Sequence, residues 1–163
     1  MDVSEQLSTI NRFMQSAPVD VIGMASALGV VCHSAYLADE ISGMLERVSD
    51  GVYKCTYNAS HPPTRQRFTV AHELGHYMLH RKLIGDGVDD NRAYRSTDAG
   101  KYHNTEIGPK QETEANKFAV SVLMPTSLVR DKVENNRHIS NVQLAFDFNV
   151  SEMAIKLRRE GLK

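Results

Sequence analysis

The sequence predicts an α+β fold in which a central helix packs on a short β-sheet or hairpin and a helical segment closes the chain. Three observations lead to this prediction. Residues 41–57 carry alternating apolar and polar side chains around Asp50-Gly51, which is typical of a β-hairpin with a tight turn. Residues 67–80 follow with apolar side chains at helical spacing, and residues 110–124 repeat that spacing.

Length and composition limit the class of protein. A chain of 163 residues is long enough for one core and too short for two ordinary domains with a linker. Hydrophobic content of 41% and charged content of 24% are those of a soluble globular protein, and no apolar run approaches the ~20 residues of a membrane span. No secretory signal is visible, so we expect a cytoplasmic protein without membrane contact. The net charge of -1 argues against broad electrostatic capture of nucleic acid.

The elements before the central helix follow from local patterns. Apolar residues at helical spacing predict a first helix over residues 3–15. Pro18 is expected to open a second helix that ends at Gly29. A short strand at residues 30–32 precedes the hairpin, and residues 58–64, which contain two consecutive prolines, form the loop that leads into the central helix.

The stretch after the central helix is predicted to be a long loop. Residues 85–110 are rich in Gly, Asp, Asn, Ser and Thr and show no apolar period. Because this loop leaves the central helix and must return near it, Tyr94, Tyr102 and His103 are candidate hydrogen-bond donors to a transition state. The alternative is that these three side chains are ordinary exposed loop residues.

The end of the chain, residues 126–163, is predicted to be a helical segment packed on or appended to a core formed by residues 1–125. Two short helices around a turn at residues 149–150, with Ser151 as the N-cap, resemble a helix-turn-helix. A single short unit without a dimerisation element binds DNA poorly, because phosphate contacts must accumulate to give affinity. We therefore expect a packing or partner-docking role, and direct DNA binding is not expected.

The central helix carries the residues that suggest chemistry. His72, Glu73 and His76 form the pattern H-E-x-x-H, and at about 100° per residue they lie on the face opposite Ala71 and Leu74. Two histidines at i and i+4 are roughly 5–6 Å apart at Cβ, which suits two ligands of one Zn2+, while Glu73 is rotated aside to meet water at the metal. The alternative is an exposed helix that carries ordinary polar residues.

A third metal ligand is predicted on the helix at residues 110–124. Glu112 lies at the edge of the buried arc of this helix, whereas Glu114 lies on its other flank. A carboxylate that faces inward needs a counter-charge or hydrogen bonds, and a metal held by two histidines provides one. Asn116, one turn from Glu112, is available to orient a ligand histidine. The alternative is that both glutamates are solvated acids favoured at a helix start.

Separated motifs in this chain resemble the ImmA/IrrE family of zinc metallopeptidases. One motif is RQRFTVAHELGH at residues 65–76, and the other is ETEANKFA at residues 112–119, followed by LMP at residues 123–125. Shorter stretches at residues 18–20 and 42–44 also look like family positions. The resemblance spans most of the chain and implies the fold of a small zincin-like metallopeptidase.

The activity that this resemblance implies is that of a zinc-dependent endopeptidase of the gluzincin type. Its Zn2+ ligands would be His72, His76 and Glu112, and Glu73 would act as general base. Family members often sit beside helix-turn-helix repressors in prophages and mobile elements and relieve repression by cleaving them. Such a repressor is therefore the expected protein substrate.

Candidate substrate contacts are Gly43, Met44, Arg67 and His103. The first two lie on the predicted hairpin, whose edge is expected to take the substrate as an added strand. Arg67, like Arg65, either clamps a substrate carbonyl or holds the structure together. Two other functions stay open. One is a metal-stabilised binding partner, such as an antirepressor or toxin-antitoxin component, that sequesters a protein without cutting it, and the other is a DNA-binding regulator.

Overall fold

The computed structural model describes residues 1–91 and 104–163, and within these ranges it contains eight helices and one four-stranded sheet. This architecture confirms the predicted α+β class. Among the described residues, no helix has the length and apolar character needed to cross a membrane. In chain order the elements are α1 (Val3–Phe13), α2 (Val21–Ala27), β1 (Val30–Ala35), β2 (Ile41–Ser49), β3 (Val52–Asn58), α3 (Pro63–Leu79), α4 (Arg81–Ile84), β4 (Gly87–Asn91), α5 (Pro109–Leu123), α6 (Thr126–Asn135), α7 (Asn141–Phe148) and α8 (Glu152–Gly161).

The second helix begins later than the sequence predicts. It starts at Val21, and Pro18 lies outside it. The reason is the cap: the Asp20 carboxylate accepts a hydrogen bond from the Gly23 backbone N–H at 2.9 Å, which satisfies one of the free donors at the helix start. An acidic N-cap therefore determines this boundary, and the proline does not.

The sheet has the strand order β1-β3-β2-β4. β2 and β3 form the predicted antiparallel hairpin, with Gly51 at a φ of 72° in its turn. β1 pairs parallel with β3, and β4 pairs antiparallel with β2. The two hairpin strands therefore lie in the centre of the described sheet.

β4 corrects the prediction that residues 85–110 are entirely loop. Residues 87–91 pair with residues 41–46 of β2, and Val88 is buried opposite Leu45. This strand contains a single apolar residue, so no alternating pattern marks it in the sequence. It also corrects the prediction that the hairpin supplies a free edge for substrate, because β4 occupies that side of β2.

α3 is more deeply buried than an amphipathic helix would be. Every residue from Thr69 to Tyr77 is buried, so the face that carries the histidines is not solvent-facing. Tyr77 connects α3 to the sheet, because its ring contacts Tyr53 edge-on with ring centroids 5.2 Å apart. Its hydroxyl donates a hydrogen bond to the Leu28 carbonyl at 3.0 Å.

On its other side, α3 packs closely against α5. A Cβ placed on Gly75 would lie 3.0 Å from the Ala115 Cα and 3.1 Å from the Ala115 carbonyl oxygen. Such distances are too short for an ordinary side-chain contact, so glycine at this position lets the two backbones approach each other. The neighbour that requires a glycine at this position of α3 is therefore α5.

The C-terminal segment forms the predicted pair of short helices around a turn. Asn149 ends α7 in the left-handed conformation with a φ of 52°, and the Ser151 hydroxyl caps α8 by accepting a hydrogen bond from Ala154 N. Leu144 and Phe148 of this segment are fully buried and belong to the same hydrophobic cluster as the core residues of α3 and the sheet. The helical segment therefore packs directly on the rest of the fold.

Arg67 holds this segment to α3. Its guanidinium donates hydrogen bonds to the carbonyl oxygens of Val19 at 2.8 Å, Asn149 at 3.1 Å and Phe148 at 3.5 Å. Three separate stretches of chain thus meet at one side chain. These contacts favour the structural alternative for Arg67, and a contact with substrate stays a prediction.

Replacing Gly75 with alanine tests the contact between α3 and α5. Alanine is favoured over glycine inside a helix by about 1 kcal/mol, but here the new Cβ would push the two helices apart. We expect Gly75→Ala to lower the free energy of unfolding by about 1–3 kcal/mol, measured by urea denaturation. Gly161→Ala is the matched control, because Gly161 is helical and a Cβ there meets nothing within 4 Å. Equal effects of the two substitutions would contradict this prediction.

Replacing Arg67 with lysine tests its structural role. Lysine keeps the charge but cannot make the same forked contacts to three carbonyl groups. We expect the free energy of unfolding to fall by about 1–3 kcal/mol. The measurement uses the metal-free protein, so that a change in metal binding does not contribute to stability. The exposed Arg137, changed to lysine in the same way, should have no measurable effect.

Candidate metal centre

Three side chains with metal-ligating atoms meet between α3 and α5. His72 and His76 lie one turn apart on α3, and their Nε2 atoms are 3.0 Å from each other. Glu112, in the first turn of α5, places Oε2 3.1 Å from His72 Nε2 and Oε1 3.4 Å from His76 Nε2. All three residues are buried. The two imidazoles and the carboxylate therefore point at one common position.

This triangle has the dimensions of a metal site. Ligand atoms about 2.0–2.1 Å from a tetrahedral metal are separated from one another by about 3.3 Å, and the separations of 3.0, 3.1 and 3.4 Å lie around that value. Two imidazoles and one carboxylate form a donor set that leaves a fourth position open. Among the described residues, this is the one group of three His, Cys, Asp or Glu side chains with ligand atoms so close together. The group could hold a metal ion.

The charges in the site suit metal binding. Burial lowers the pKa of His76 and outweighs the hydrogen bond to Glu112, which acts in the opposite direction. Burial raises the pKa of Glu112, but the close contacts of its carboxylate with the imidazoles of His72 and His76 outweigh burial and hold that pKa well below its usual range. At neutral pH the site therefore presents a neutral imidazole at His76 and an ionised carboxylate at Glu112, which are the forms that bind metal.

Asn116 contacts the first histidine from behind. Its side-chain oxygen lies 2.8 Å from His72 Nδ1. An amide oxygen only accepts hydrogen bonds, so Nδ1 carries the proton and Nε2 keeps its lone pair. Asn116 lies one turn from Glu112 on α5, as the sequence predicts for a residue that orients a ligand histidine.

His80 and Glu114 make contacts that sequence reasoning does not assign. His80 Nδ1 lies 3.0 Å from His76 Nδ1, and His80 Nε2 lies 2.7 Å from Glu114 Oε2. The hydrogen bond from His80 lowers the pKa of Glu114. The sequence does contain a signal for His80, because it continues the four-residue spacing of His72 and His76. The sequence gives no comparable signal for Glu114, which is equally consistent with a solvated acid at a helix start.

Glu73 follows His72 on α3 and does not belong to the ligand triangle. The residue is fully buried. The hydrogen bond with Cys32 and burial raise the pKa of the Cys55 thiol on β3, and the charge of Glu73 adds to this increase. Both cysteines are free thiols. Glu73 therefore supplies a buried carboxylate on the same helix as the two histidines, and its role as general base stays a prediction.

The hairpin candidates for substrate binding have structural roles instead. A Cβ on Gly43 would lie 2.5 Å from the Thr69 Cγ2 and 2.8 Å from the Thr56 carbonyl oxygen, so glycine is needed where β2 packs against α3. Met44 pairs with Thr56 on one side and with Asp89 of β4 on the other. Both residues lie on an interior strand, and this corrects their assignment as substrate contacts at a sheet edge.

Three residues between α3 and α5 are predicted from the sequence to donate hydrogen bonds to a transition state. His103, Tyr94 and Tyr102 lie outside the described residues. Their assignment therefore stays a prediction from the sequence.

The fold and the site define a metallopeptidase type of centre, in which a helix with two histidines lies on a mixed sheet and the next long helix supplies a carboxylate. Comparison with protein families gives the same class. The profile of a peptidase family described as the IrrE N-terminal-like domain matches residues 46–160, and the chain belongs to this family. The resemblance to the ImmA/IrrE family is thereby confirmed.

Two relatives show how far the similarity extends. The metallopeptidase ImmA of Bacillus subtilis (strain 168) is 28% identical over 85 residues, which are 52% of this chain and 43% of that protein. The fold is similar to that of a Mycobacterium tuberculosis transcriptional regulator, with a TM-score of 0.59 and 18% identity over 96% of this chain and 47% of the other. The chain spans less than half the length of either protein.

The metal centre predicts one bound ion per chain. We expect His76→Ala and Glu112→Ala each to abolish stoichiometric binding, because two ligands hold a divalent ion much less tightly than three. Inductively coupled plasma mass spectrometry after dialysis measures the metal content. The exposed His138→Ala and Glu106→Ala variants are matched controls and should keep the ion. Full occupancy in the His76→Ala protein would show that the ligands are wrongly assigned.

Proposed function

We propose that this chain is a zinc-dependent endopeptidase that hydrolyses a peptide bond in a protein substrate. The observation that carries the proposal is the buried triangle of His72, His76 and Glu112, with Glu73 beside it. Membership of a peptidase family supports the same reaction class. Burying several ionisable groups destabilises the folded state, so such a cluster indicates a functional site.

The donor set supports zinc as the metal. Two histidines, one glutamate and an open fourth position form a common arrangement in catalytic zinc sites. Zinc bound there would act as a Lewis acid and bring the pKa of a coordinated water toward about 7. His72, His76 and Glu112 would hold the ion, and Asn116 would keep the His72 ring in the required tautomer.

Glu73 would carry out the proton transfers. As a general base it takes a proton from the water that attacks the scissile carbonyl group, and it then delivers that proton to the departing amide nitrogen. The residue is fully buried and follows His72 on α3, which supports this role. No other residue of the described site is required to move a proton.

The substrate that we propose is a helix-turn-helix repressor of a prophage or mobile element. The relative from Bacillus subtilis is named as a metallopeptidase, and the motifs of this chain resemble a family that cleaves such repressors. A peptide added as a strand gains affinity from main-chain hydrogen bonds. Within the described residues the outer strand beside β2 is β4, so β4 replaces the hairpin as the proposed docking edge.

The C-terminal segment, residues 126–163, is proposed to help dock the repressor, while residues 1–125 form the peptidase core. A folded repressor exposes few extended segments, so cleavage is expected at a locally unfolded or interdomain stretch. It should be slow and selective. This function places the chain in the cytoplasm, where the repressor acts.

Incubation with the repressor encoded by the neighbouring gene tests the proposal. We expect the zinc-loaded protein to produce two repressor fragments, identified by mass spectrometry. Glu73→Gln should slow cleavage by at least about 10²–10⁴-fold, because it removes the general base and keeps the size of the side chain. The same variant should still bind zinc, which shows that loss of cleavage does not come from an altered metal site.

The outcome also separates the alternative functions. If the repressor stays intact and forms a stable complex with both the wild-type protein and the Glu73→Gln variant, the chain acts by sequestration. If the protein instead shifts operator DNA in a gel without any repressor present, a DNA-binding role replaces the proposed one.

A further inference from the structure

His80 is a buried histidine that the proposed reaction does not use. It lies at the end of α3, one turn beyond His76, and is 4% exposed. One ring nitrogen faces the metal ligand and the other faces a carboxylate. His80 Nδ1 is 3.0 Å from His76 Nδ1, and His80 Nε2 is 2.7 Å from Glu114 Oε2. These two contacts form a hydrogen-bonded chain that runs from His76 through the His80 ring to Glu114 on α5.

The chemistry of these groups allows a single direction for the hydrogen bonds when metal is bound. A carboxylate only accepts hydrogen bonds, so Glu114 requires the proton of His80 on Nε2. A neutral His80 then has its lone pair on Nδ1 and can only accept from His76. His76 must in turn carry its proton on Nδ1, which leaves its Nε2 lone pair directed at the ligand triangle.

The opposite direction would block the site. If His80 donated from Nδ1, a neutral His76 would accept at its Nδ1 and would carry its proton on Nε2. That proton would occupy the position where the metal is expected, next to His72 Nε2 and Glu112. The partner of His80 therefore decides whether His76 is available as a ligand.

We propose that His80 and Glu114 are positioning residues that fix the tautomer and ring orientation of His76, so that its Nε2 can ligate the metal. This inference rests on the proposed metal centre and extends it to two residues outside the ligand triangle. It gives the two ligand histidines different supports. His72 is held by the neutral amide of Asn116, and His76 is held by an imidazole backed by a carboxylate.

Glu114 is the partly exposed end of the hydrogen-bonded chain that orients His76. Its side chain is 39% exposed and lies 3.9 Å from Lys110 Nζ, whereas His80 and His76 are buried. Glu112, Glu114 and Asn116 contact His72, His76 and His80, and these three α5 residues lie within five consecutive positions. A substitution at the partly exposed Glu114 should therefore change metal affinity without disturbing the core.

Zinc affinity, measured by competition with a chromophoric chelator, tests the inference. Loss of an outer hydrogen-bond partner typically weakens metal binding by about 10–100-fold. We expect a loss in this range for His80→Leu and a loss near its lower end for Glu114→Ala. His80→Asn should recover most of the affinity, because its side-chain oxygen can accept from His76 in place of Nδ1. Lys110→Ala is the surface control and should bind zinc like the wild type.

A double substitution shows whether Glu114 acts on zinc affinity through its hydrogen bond with His80 or through its charge alone. In the His80→Asn background, Glu114 no longer contacts the residue that supports His76. Glu114→Ala should then have no further effect on zinc affinity. If the loss persists in that background, Glu114 acts through space by its charge, and its role as a positioning residue is overturned.

Long-range ¹H–¹⁵N spectra of the imidazole rings provide a readout that is independent of activity. In the zinc-loaded wild type His76 should be protonated at Nδ1, and the metal-free His80→Leu and Glu114→Ala proteins should show a mixture of tautomers at His76. Thermal unfolding of the metal-free variants controls for folding. Unchanged affinity together with an unchanged His76 tautomer in both variants would refute the inference.

The same measurements distinguish the two proposals from each other. If zinc binds and the variants weaken it as expected, but no protein is cut, the inference on His80 and Glu114 stands and the peptidase function falls. If the wild type cuts its substrate and the variants bind zinc with wild-type affinity, the reverse holds. A wild-type protein that binds no zinc would overturn both.

Discussion

The close contact between α3 and α5 is the constraint on which the site depends. Gly75 lacks a Cβ, and the backbone of Ala115 occupies the space where one would lie, 3.0 Å away. Because α3 supplies both histidines and α5 supplies Glu112, the distance between these helices sets the size of the ligand triangle. Asn116, which contacts the His72 ring, and Glu114, which contacts His80, also lie on α5. One helix pair therefore determines the ligands and their orientation together.

The site concentrates ionisable groups at positions that are buried in the fold. Glu73, His72, His76 and Glu112 are all buried. Buried charges are destabilising unless they are paired or bound to a metal, so the fold keeps them only if they contact one another in a defined geometry. The lowered pKa values of His76 and Glu112 are consequences of this arrangement. Burial thus destabilises each ionisable group in isolation, and together the groups are held in the protonation states and positions that bind a metal ion.

Local patterns account for the parts of the fold that the sequence predicts correctly. The hairpin has alternating side chains and a glycine turn, and the turn between α7 and α8 has Asn149 and the Ser151 cap. β4 has no such pattern in its side chains. Backbone pairing with β2 stabilises this strand, and the sequence of β4 alone does not reveal that pairing. Arg67 likewise binds three carbonyl groups from residues 19, 148 and 149, which sequence proximity does not reveal.

The sequence by itself determined that His72 and His76 share a helix face and that Glu112 and Asn116 do the same, because residues four apart on a helix are neighbours whatever surrounds them. Only the tertiary structure decided which groups these faces meet. Glu114 contacts His80, although it lies on the other flank of α5 from Glu112, and β4 covers the hairpin edge. The physical reason is that such contacts depend on how two elements distant in sequence cross and pack, and helical spacing carries no information about that crossing.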